Sequence, residues 1–310
     1  VNKEDPTIEI EINEETGEHL LHGMGELHLE VIENRIRTEK GVDVESSPPL
    51  VVYRETVTKK SPEVEGKTPN KHNIFFFKVE PLPTNIYQAI KNGEIPATRF
   101  KKKDQALWDK FIELGMDAKE ARSVVEVYKG NMLIDNSRGI VQIGEVIELI
   151  SEGFEQVMKA GPLAREPCDK ILVRITDMKL HEDAIHRGPA QVLPAIRDAL
   201  RAGMANADSV LFEPLQTLQI EAPEEFIGNI SKLVQNKRGQ LLNMEHEGGR
   251  VIVKAKLPVA EMFGLTSELR SATGGRGMHF LVDQGFERLP RELQEKVIRQ
   301  IRERKGLKEE

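Results

Sequence analysis

The sequence predicts a multidomain α+β protein, and two observations carry this prediction. The chain has 310 residues, which is long enough for two or three domains that each bury their own core. Segments with apolar residues at every second position, as in strands, are interspersed with segments that repeat them every three or four positions, as in helices. The order of these segments changes along the chain, so we expect three domains, at residues 1–48, 49–208 and 209–310.

Composition favours a soluble globular protein of a reducing, cytoplasmic compartment. Hydrophobic residues make up 39% of the chain and charged residues 31%, and no apolar run approaches the ~18 residues that span a membrane. The single cysteine, Cys168, excludes an internal disulfide bond. The chain starts at Val1 without a signal peptide or an initiator methionine, so we expect a fragment. The net charge of -7 does not exclude a nucleic-acid partner, because basic residues cluster locally.

Residues 1–48 predict a small unit of strand, turn, strand and helix. Thr7–Ile12 alternates polar and apolar residues, which indicates a strand with one buried face. A helix follows, with inward side chains at Leu29, Ile32 and Ile36. Gly41 ends this helix, and Val42–Val44 is expected to add a short strand. So few residues are marginal for an independent core, and we therefore expect the first elements of this domain to lie upstream.

Residues 49–208 contain the strongest strand and helix signals. Strands are predicted at Leu50–Val57, Ile74–Val79 and Lys170–Leu180. Lys59–Thr68 is expected to be a charged, hairpin-like loop. Residues 84–127 are expected to be helical in pieces, of which a helix from about Lys103 to Leu114 and a short one from about Asp117 form an insertion on the sheet. An apolar stripe over residues 143–158 predicts a long helix that ends at Gly161.

Residues 209–310 follow the order β-α-β-β-α-β, which is typical of the ferredoxin-like fold. The four strands are predicted at Leu215–Ala222, Gln240–Glu245, Val251–Leu257 and Met278–Asp283. A final helix carries basic residues, among them Arg302 and Lys305, on the face expected to be wet. This helix is expected to pack on the middle domain or to contact RNA.

The loop Asp183–Pro189 carries the main candidate residue, His186, between a predicted strand and a helix with Val192 and Ile196 inward. A metal site with His181 is one interpretation, but the two histidines are five apart and a solvated loop is favoured. A hydrolase in which His186 and Asp183 act as a base is another interpretation, and it lacks a nucleophile.

A nucleotide-binding interpretation of Gly66-Lys67-Thr68 is rejected. These residues resemble the end of a P-loop, but Ser61 occupies the position of its first glycine. Pro69 follows where a helix should begin and donate its amides to phosphate. Cys168 has no histidine pattern around it and is expected to be structural, so we predict no catalytic residue.

Seven stretches resemble the elongation factor 2 family of archaeal type, the ribosomal translocation GTPases related to elongation factor G. They are E-D-P-T-I (4–8), E-T-G-E-H-L-L (15–21), G-M-G-E-L-H-L-E (23–30), P-N-K-H-N (69–73), D-A-I-H-R-G (183–188), F-G-L-T-S-E-L-R (263–270) and A-T-G-G (272–275). Because they lie in order across almost the whole chain, the resemblance is more specific than any single motif.

The resemblance implies the third, fourth and fifth domains of such a factor. The third, residues 1–48, would be ferredoxin-like and truncated at its start. The fourth, residues 49–208, would have the fold of domain 2 of ribosomal protein S5 with a helical insertion. The fifth, residues 209–310, would be ferredoxin-like with a C-terminal helix. The GTP-binding domain would lie upstream with its GTP and magnesium ion, so this fragment is expected to be no enzyme and to hold no cofactor or metal.

The resemblance also implies a modified histidine at the tip of the fourth domain. In this family the histidine of D-A-I-H-R-G is converted to diphthamide, and it corresponds to His186. The modified residue is the target of toxins that use NAD as co-substrate. The implied tip residues around it, which face transfer RNA and ribosomal RNA, are Pro69, Asn70, Lys71, His72, Asn73, Asp135, Asn136, Ser137, Arg138, Gly139, Asp183, Ile185, Arg187 and Gly188.

The implied partners are the ribosome, the complex of transfer RNA with messenger RNA, and the diphthamide-synthesis enzymes, and the chain is expected to be a monomer. The cations and hydrogen-bond donors of the tip are Lys71, His72, Arg138, His186 and Arg187. They suit phosphates and 2′-hydroxyls, and no bulky aromatic residue is present to stack on bases, so we expect recognition of backbone shape. Gly139 and Gly188 allow close approach of backbone to RNA. A paralogous GTPase of ribosome assembly or splicing, without a modified histidine, is the alternative.

Overall fold

The computed structural model describes residues 8–12, 19–24, 26–46, 50–100, 104–137 and 143–307. Its contacts divide the chain into two compact units. Unit 1 comprises Val1–Val52 and Pro214–Gly285, and unit 2 comprises Tyr53–Glu213 and Phe286–Glu310. These units describe packing, whereas the three domains of the sequence follow chain order, so their boundaries remain a prediction. In the described part of the chain no helix is long and apolar enough to cross a membrane.

Unit 1 begins with a two-stranded antiparallel sheet and a helix. The elements are β1 (Glu9–Ile12), β2 (His19–His22) and α1 (Glu26–Lys40). Gly41 follows the helix with φ of +64°, which confirms the predicted helix end. The strand predicted at Val42–Val44 is wrong, because this segment folds back along the end of α1. The carbonyl of Val44 accepts from Arg37 at 2.7 Å, so its backbone bonds to the helix, and it pairs with no strand among the residues that the structure describes.

Unit 2 is built on a sheet of five strands. Its strands in chain order are β4 (Val64–Lys67), β5 (Ile74–Pro81), β6 (Val124–Tyr128), β7 (Asn131–Asp135) and β8 (Ile171–Lys179), and the strand before them, β3 (Arg54–Val57), is not part of this sheet. The order across the sheet is β4-β5-β8-β7-β6, and only the β7–β8 pair is parallel among these neighbours. The loop predicted for Lys59–Thr68 is wrong over β4. Val64 and Gly66 point inward there and the strand pairs with β5, a tertiary contact that overrides the charged local sequence.

Helices cover both faces of this sheet, so unit 2 has two cores. The helices are α2 (Thr84–Lys91), α3 (Gln105–Glu113), α4 (Ala118–Ala121), α5 (Ile143–Lys159) and α6 (Pro189–Asn206). The first core joins α5 and α6 to Phe75, Phe77 and Val173. The second core joins α2 and the predicted insertion, α3 and α4, to Met132 and Leu172. Alternate residues of β7 and β8 thus enter opposite cores, as the period of a strand requires.

The two edges of this sheet differ. At one edge, β4 lies under α6, and a Cβ added at Gly66 would collide with the carbonyl oxygen of Ala195. Gly66 therefore serves close packing, while Glu65 and Lys67 form an outward ion pair at 2.7 Å. At the other edge, residues 98–100 extend the sheet beyond β6. The amide of Phe100 donates to the carbonyl of Val125 at 2.9 Å.

The rest of unit 1 is a ferredoxin-like fold, although the first residues of its first strand and the last residues of its last strand belong to unit 2. Its elements are β9 (Ser209–Pro223), α7 (Ile227–Asn236), β10 (Gln240–Glu247), β11 (Arg250–Pro258), α8 (Leu265–Ala272) and β12 (Met278–Arg288). The order across the sheet is β10-β11-β9-β12. The predicted β-α-β-β-α-β order is thus confirmed. The strand β9 is longer than predicted, because its residues 209–212 pair with β3 as part of unit 2.

The last helix, α9 (Arg291–Arg304), belongs to unit 2. The sequence left open whether it packs on the middle domain or contacts RNA, and it packs. Arg302 Nη1 donates to the carbonyl of Leu163 at 3.1 Å, and Lys305 Nζ donates to the carbonyl of Arg165 at 2.7 Å. The prediction of a wet face is confirmed for Lys305, which is exposed, and is wrong for Arg302, which is half-buried; carbonyl oxygens of a neighbouring loop accept from both.

Candidate functional site

Three predicted tip loops lie at one end of the sheet in unit 2. In the antiparallel pair of β5 and β8, Ile74 is opposite Lys179, so the β4–β5 turn (68–73) lies beside the loop that follows β8. In the parallel pair of β7 and β8, Asp135 is opposite Ile175. The loop after β7 therefore leaves the same end, but about 13 Å further back along the sheet. Arg138 and Gly139 lie outside the described residues.

The β4–β5 turn is closed by its own polar groups. The amide of Thr68 donates to the carbonyl of Asn73 at 3.0 Å, and its hydroxyl donates to Asn70 Oδ1 at 2.6 Å. Lys71 has φ of 62°, a left-handed conformation that the turn imposes on a residue with a side chain. Pro69, Lys71 and His72 are exposed. The turn therefore presents a cation and an imidazole on a fixed backbone.

Two carboxamides join this turn to the loop after β8. Asn73 Nδ2 and Asn70 Nδ2 both donate to the carbonyl of His186, at 2.8 and 3.2 Å. Asn73 is fully buried, and its Oδ1 accepts from the amide of His181 at 3.0 Å. The amide of Asn70 donates to Gln191 Oε1 at 2.9 Å. The predicted residues 69–73 and 183–188 are therefore brought together in one hydrogen-bonded site.

The loop that carries His186 is a short 3-10 helix, Ala184–Arg187. Asp183 caps it, because its Oδ1 accepts from the amide of Ile185 at 3.1 Å. This leaves the Ile185 side chain 78% exposed on a fixed turn. Gly188 then precedes the first turn of α6, and a Cβ added there would meet nothing within 4 Å. The open space in front of Gly188 agrees with its predicted role in close approach, which itself stays a prediction.

The side chain of Arg187 is buried, whereas the sequence predicts it on the surface. It is 7% exposed, and its Nη1 donates to the carbonyl of His181 at 2.9 Å. A guanidinium so placed braces the loop and is not open to a phosphate. The sequence missed this because the acceptor is a backbone group, which no side-chain pattern reveals.

Three imidazole rings meet at the tip. The ring centroids are 4.4 Å apart for His72 and His186, 4.5 Å for His181 and His186, and 4.9 Å for His72 and His181. His72 is exposed and the other two are half-buried. His181 Nδ1 accepts from the amide of Asp183 at 3.1 Å. Among the described residues no group of three His, Cys, Asp or Glu side chains is placed to hold a metal ion.

The loop after β7 is organised separately. The amide and the hydroxyl of Ser137 both donate to Asp135 Oδ1, at 2.9 and 2.6 Å. The amide of Asn136 donates to the carbonyl of Ile175 at 2.8 Å. All three predicted residues are half-buried, so their described part forms a support behind the tip.

At the opposite end of β8, two carboxylates stabilise the loop that precedes the strand. Glu55 is fully buried and accepts from the amides of Leu163, Ala164 and Glu166 at 2.7, 2.8 and 3.0 Å. Burial raises the pKa of Glu55, and these three hydrogen bonds oppose the rise. Glu166 accepts from Lys305 Nζ at 2.6 Å. This cluster, Glu55, Glu166 and Lys305 with residues 163–166, is called the base clamp below.

Two further buried groups on unit 2 titrate abnormally. Burial, a hydrogen bond that protonated Glu126 donates to the Glu155 carboxylate, and the negative charge of Glu155 raise the pKa of Glu126 to about 7. Arg99 lies 3.6 Å from Glu126 and also pairs with Glu148 at 2.6 Å. Burial raises the pKa of the Cys168 thiol, so it is no ready nucleophile, in line with its predicted structural role.

Family models match the chain in the order of its architecture. The model described as Elongation Factor G, domain III matches residues 1–48, and the one described as Elongation factor G, domain IV matches residues 93–208. The model described as Elongation factor G C-terminus matches residues 210–306. The mixed α+β fold with its polar tip is thus of the class of translation elongation factors.

Three curated relatives identify the family within this class. The elongation factor 2 of Thermococcus kodakarensis is 53% identical over 305 residues, which cover 98% of this chain and 42% of the relative. The elongation factors 2 of Pyrococcus horikoshii and Methanocaldococcus jannaschii are 51% and 52% identical, over 98% and 99% of this chain and 42% and 43% of their own length. The chain belongs to the elongation factor 2 family. It spans less than half the length of these relatives.

Proposed function

We propose that this chain is part of a GTP-dependent factor that moves transfer RNA and messenger RNA through the ribosome, with the tip of unit 2 entering the decoding region. The single observation that carries the proposal is the joining of the 68–73 turn to the His186 loop at one end of a two-faced sheet. The family match supports the same conclusion. A sheet with a core on each face is a stiff support, as a device that displaces RNA requires.

The chemistry of the tip suits RNA of any sequence. Exposed Lys71 offers a cation and hydrogen-bond donors to phosphates and 2′-hydroxyls, which are present at every nucleotide. Open space in front of Gly188 permits backbone contact. A factor that handles every codon needs such sequence-independent contacts.

The proposal extends to parts of the function that lie beyond this chain. GTP and its magnesium ion would be bound and hydrolysed by the part of the factor that precedes this chain, and this chain would hold no cofactor. The partners would be ribosomal RNA, ribosomal proteins and the tRNA–mRNA complex. The factor would bind them in the cytoplasm as a monomer. A GTPase of ribosome assembly or splicing has less support, because the relatives reported above are elongation factors.

We also propose that His186 is converted to diphthamide by dedicated enzymes and could then be ADP-ribosylated by toxins that use NAD. Asn73 donates a hydrogen bond to the backbone carbonyl of His186, and the His186 ring is half-exposed. This arrangement is compatible with access by an enzyme. Mass spectrometry of the protein from its native host should show the added mass on His186. An unmodified histidine there would contradict this part of the proposal.

The translocation proposal is tested with a complete factor. This chain is joined to the upstream part of the Thermococcus kodakarensis elongation factor 2, and movement of messenger RNA and GTP turnover are measured on programmed ribosomes. Replacing His186 with alanine should slow movement at least about tenfold while GTP turnover stays within about twofold, since the tip acts after hydrolysis. Equal losses of both rates, or no movement with the unaltered chain, would sink the proposal.

A further inference from the structure

The three imidazoles of the tip form one assembled unit. His72 comes from the β4–β5 turn, whereas His181 and His186 flank the 3-10 helix after β8. The three ring centroids form a nearly equilateral triangle, with the ring of His186 tilted by 37° against His72 and edge-on to His181. These centroid distances of 4.4 and 4.5 Å fall in the range of direct aromatic contact.

One buried side chain determines this assembly. Asn73 accepts from the amide of His181 and donates to the carbonyl of His186, so its carboxamide fixes the distance between the two residues. Asn73 is also the chain neighbour of His72. Asn73, which is fully buried, thus fixes where each ring lies, and it is a positioning residue for all three.

We propose that His72, His181 and His186 form a preassembled imidazole platform that stacks on a nucleobase of the RNA partner, with Asn73 as the residue that assembles it. This inference rests on the proposed function. The tip still has no bulky aromatic residue, but three small rings together would replace one large ring. Every base has a π face, so such stacking remains independent of sequence.

Stacking is favoured over a phosphate contact at His72 by the geometry. A histidine that binds phosphate acts through its ring nitrogens, and ring-to-ring packing adds nothing to that contact. The observed arrangement instead places ring surfaces together, with His72 still exposed on the outside. Histidine is among the side chains on which RNA-binding proteins stack unpaired or terminal bases.

The test replaces His72 in the complete chimeric factor by a ring without charge and by a charge without a ring. His72→Phe keeps a stacking surface, and His72→Lys keeps a cation. We expect the rate of messenger RNA movement to fall at least about tenfold in His72→Lys and by less than about threefold in His72→Phe. A loss of about tenfold is the fold-change that corresponds to the free energy of stacking on one base. GTP turnover should stay within about twofold in both variants. His246→Lys, an exposed histidine of β10, controls for adding a surface cation.

The reverse order, with His72→Lys active and His72→Phe slow, would overturn the proposal in favour of a phosphate contact. Equal rates for both variants would also overturn it. If both variants move messenger RNA normally while modification of His186 changes, the rings serve a protein enzyme and the proposal is wrong. Absence of movement with the unaltered chain would instead count against the proposed function.

Asn73 is tested by a readout that a general loss of stability would not change. In the 310-residue chain, nuclear Overhauser contacts between the rings of His72 and His186 should disappear in Asn73→Ala and should persist in the control Gln191→Ala. Urea unfolding of each variant, followed by fluorescence of Trp108, shows that unit 2 is still folded. Persistent ring contacts in folded Asn73→Ala would remove Asn73 from the proposal.

Discussion

The two ends of β8 are held by different chemistry. Before the strand, the base clamp uses charges: the buried carboxylates of Glu55 and Glu166 and the partly exposed ammonium of Lys305. After the strand, the two tip loops are joined by the neutral carboxamides of Asn70 and Asn73, whereas the Asp183 carboxylate caps its own loop at an exposed position. Both ends satisfy buried backbone groups, so the difference lies in charge and not in the number of contacts.

This difference has a physical reason in the proposed partner. Hydrogen bonds to charged groups are stronger than those between neutral groups, which favours carboxylates where only stability matters. At a surface that faces RNA, a buried carboxylate would add negative potential in front of phosphates. Carboxamides stabilise the loop without that repulsion. The comparison predicts that the base clamp dominates stability and that the tip dominates function.

The largest effect on stability is expected for Glu55→Ala. This change leaves three buried amides without their acceptor, and we expect the free energy of unfolding of unit 2 to fall by about 3–5 kcal/mol. The matched change at the tip, Asn73→Ala, removes a neutral partner and should cost less, about 1–3 kcal/mol. Urea unfolding followed through Trp108, the single tryptophan, measures both. Equal losses would show that charge does not distinguish the two ends.

The next effect is a dependence on pH that the tip should not share. Because the pKa of Glu126 is raised to about 7 from 4.5, the folded state binds its proton more tightly than the unfolded state. This contribution is fully present below pH 4.5 and is lost as the pH rises through 7. Between pH 5 and 8 it should decrease by about 2 kcal/mol.

Glu126→Gln tests this dependence. The variant cannot lose the proton, so its stability relative to the unaltered chain should increase as the pH is raised. Unfolding by urea at several pH values in that interval gives the difference directly. Parallel pH profiles for the two proteins would show that Glu126 is ionised throughout, contrary to the raised pKa.

A smaller loss is expected for Lys305→Met. The ammonium donates to the carbonyls of Ala164 and Arg165 and to the Glu166 carboxylate, and the methionine replaces its volume but none of these contacts. We expect a loss of about 1–2 kcal/mol for unit 2, reduced because Lys305 is partly exposed. Lys296→Met, on the exposed face of α9, is the matched control and should change stability by less than about 0.5 kcal/mol. Equal losses from both lysines would contradict the clamp.

The smallest effect on stability is expected for Gly188→Ala. Its φ of -69° suits any residue and its Cβ would enter open space, so the free energy of unfolding should change by less than about 0.5 kcal/mol. If RNA approaches this backbone closely, the same change should still slow messenger RNA movement by the complete factor. A variant that is as stable and as fast as the original would show that nothing packs against Gly188.

Local patterns were sufficient for the elements that carry strong periodicity. The strand β8, the helices α5 and α6 and the β-α-β-β-α-β order follow from apolar spacing alone, because each has one buried face over many residues. The edge strand β4 was missed, because two of its four residues are charged and another is glycine. Its strand structure depends on pairing with β5 and on the approach of α6, which are tertiary contacts.

The candidate site shows the same limit. The loops around His186 were placed by motif and by their position after strands, and the register of β5 and β8 brings two of them together. The orientation of side chains within those loops could not be predicted. Arg187 turns inward to a carbonyl oxygen, and His72 joins His181 across a long separation in sequence. Both arrangements depend on backbone groups and on Asn73, and no short motif encodes them.

The edges of the sheet in unit 2 bear on self-association. An unpaired, uncharged strand edge can template pairing with a second copy, as in domain swapping or fibril growth. On the described residues, β4 carries the Glu65–Lys67 pair outward at its edge, and residues 98–100 cover β6 at the other. Charge at one edge and cover at the other leave little for a second copy to extend. These two features therefore disfavour edge-to-edge pairing of copies through this sheet.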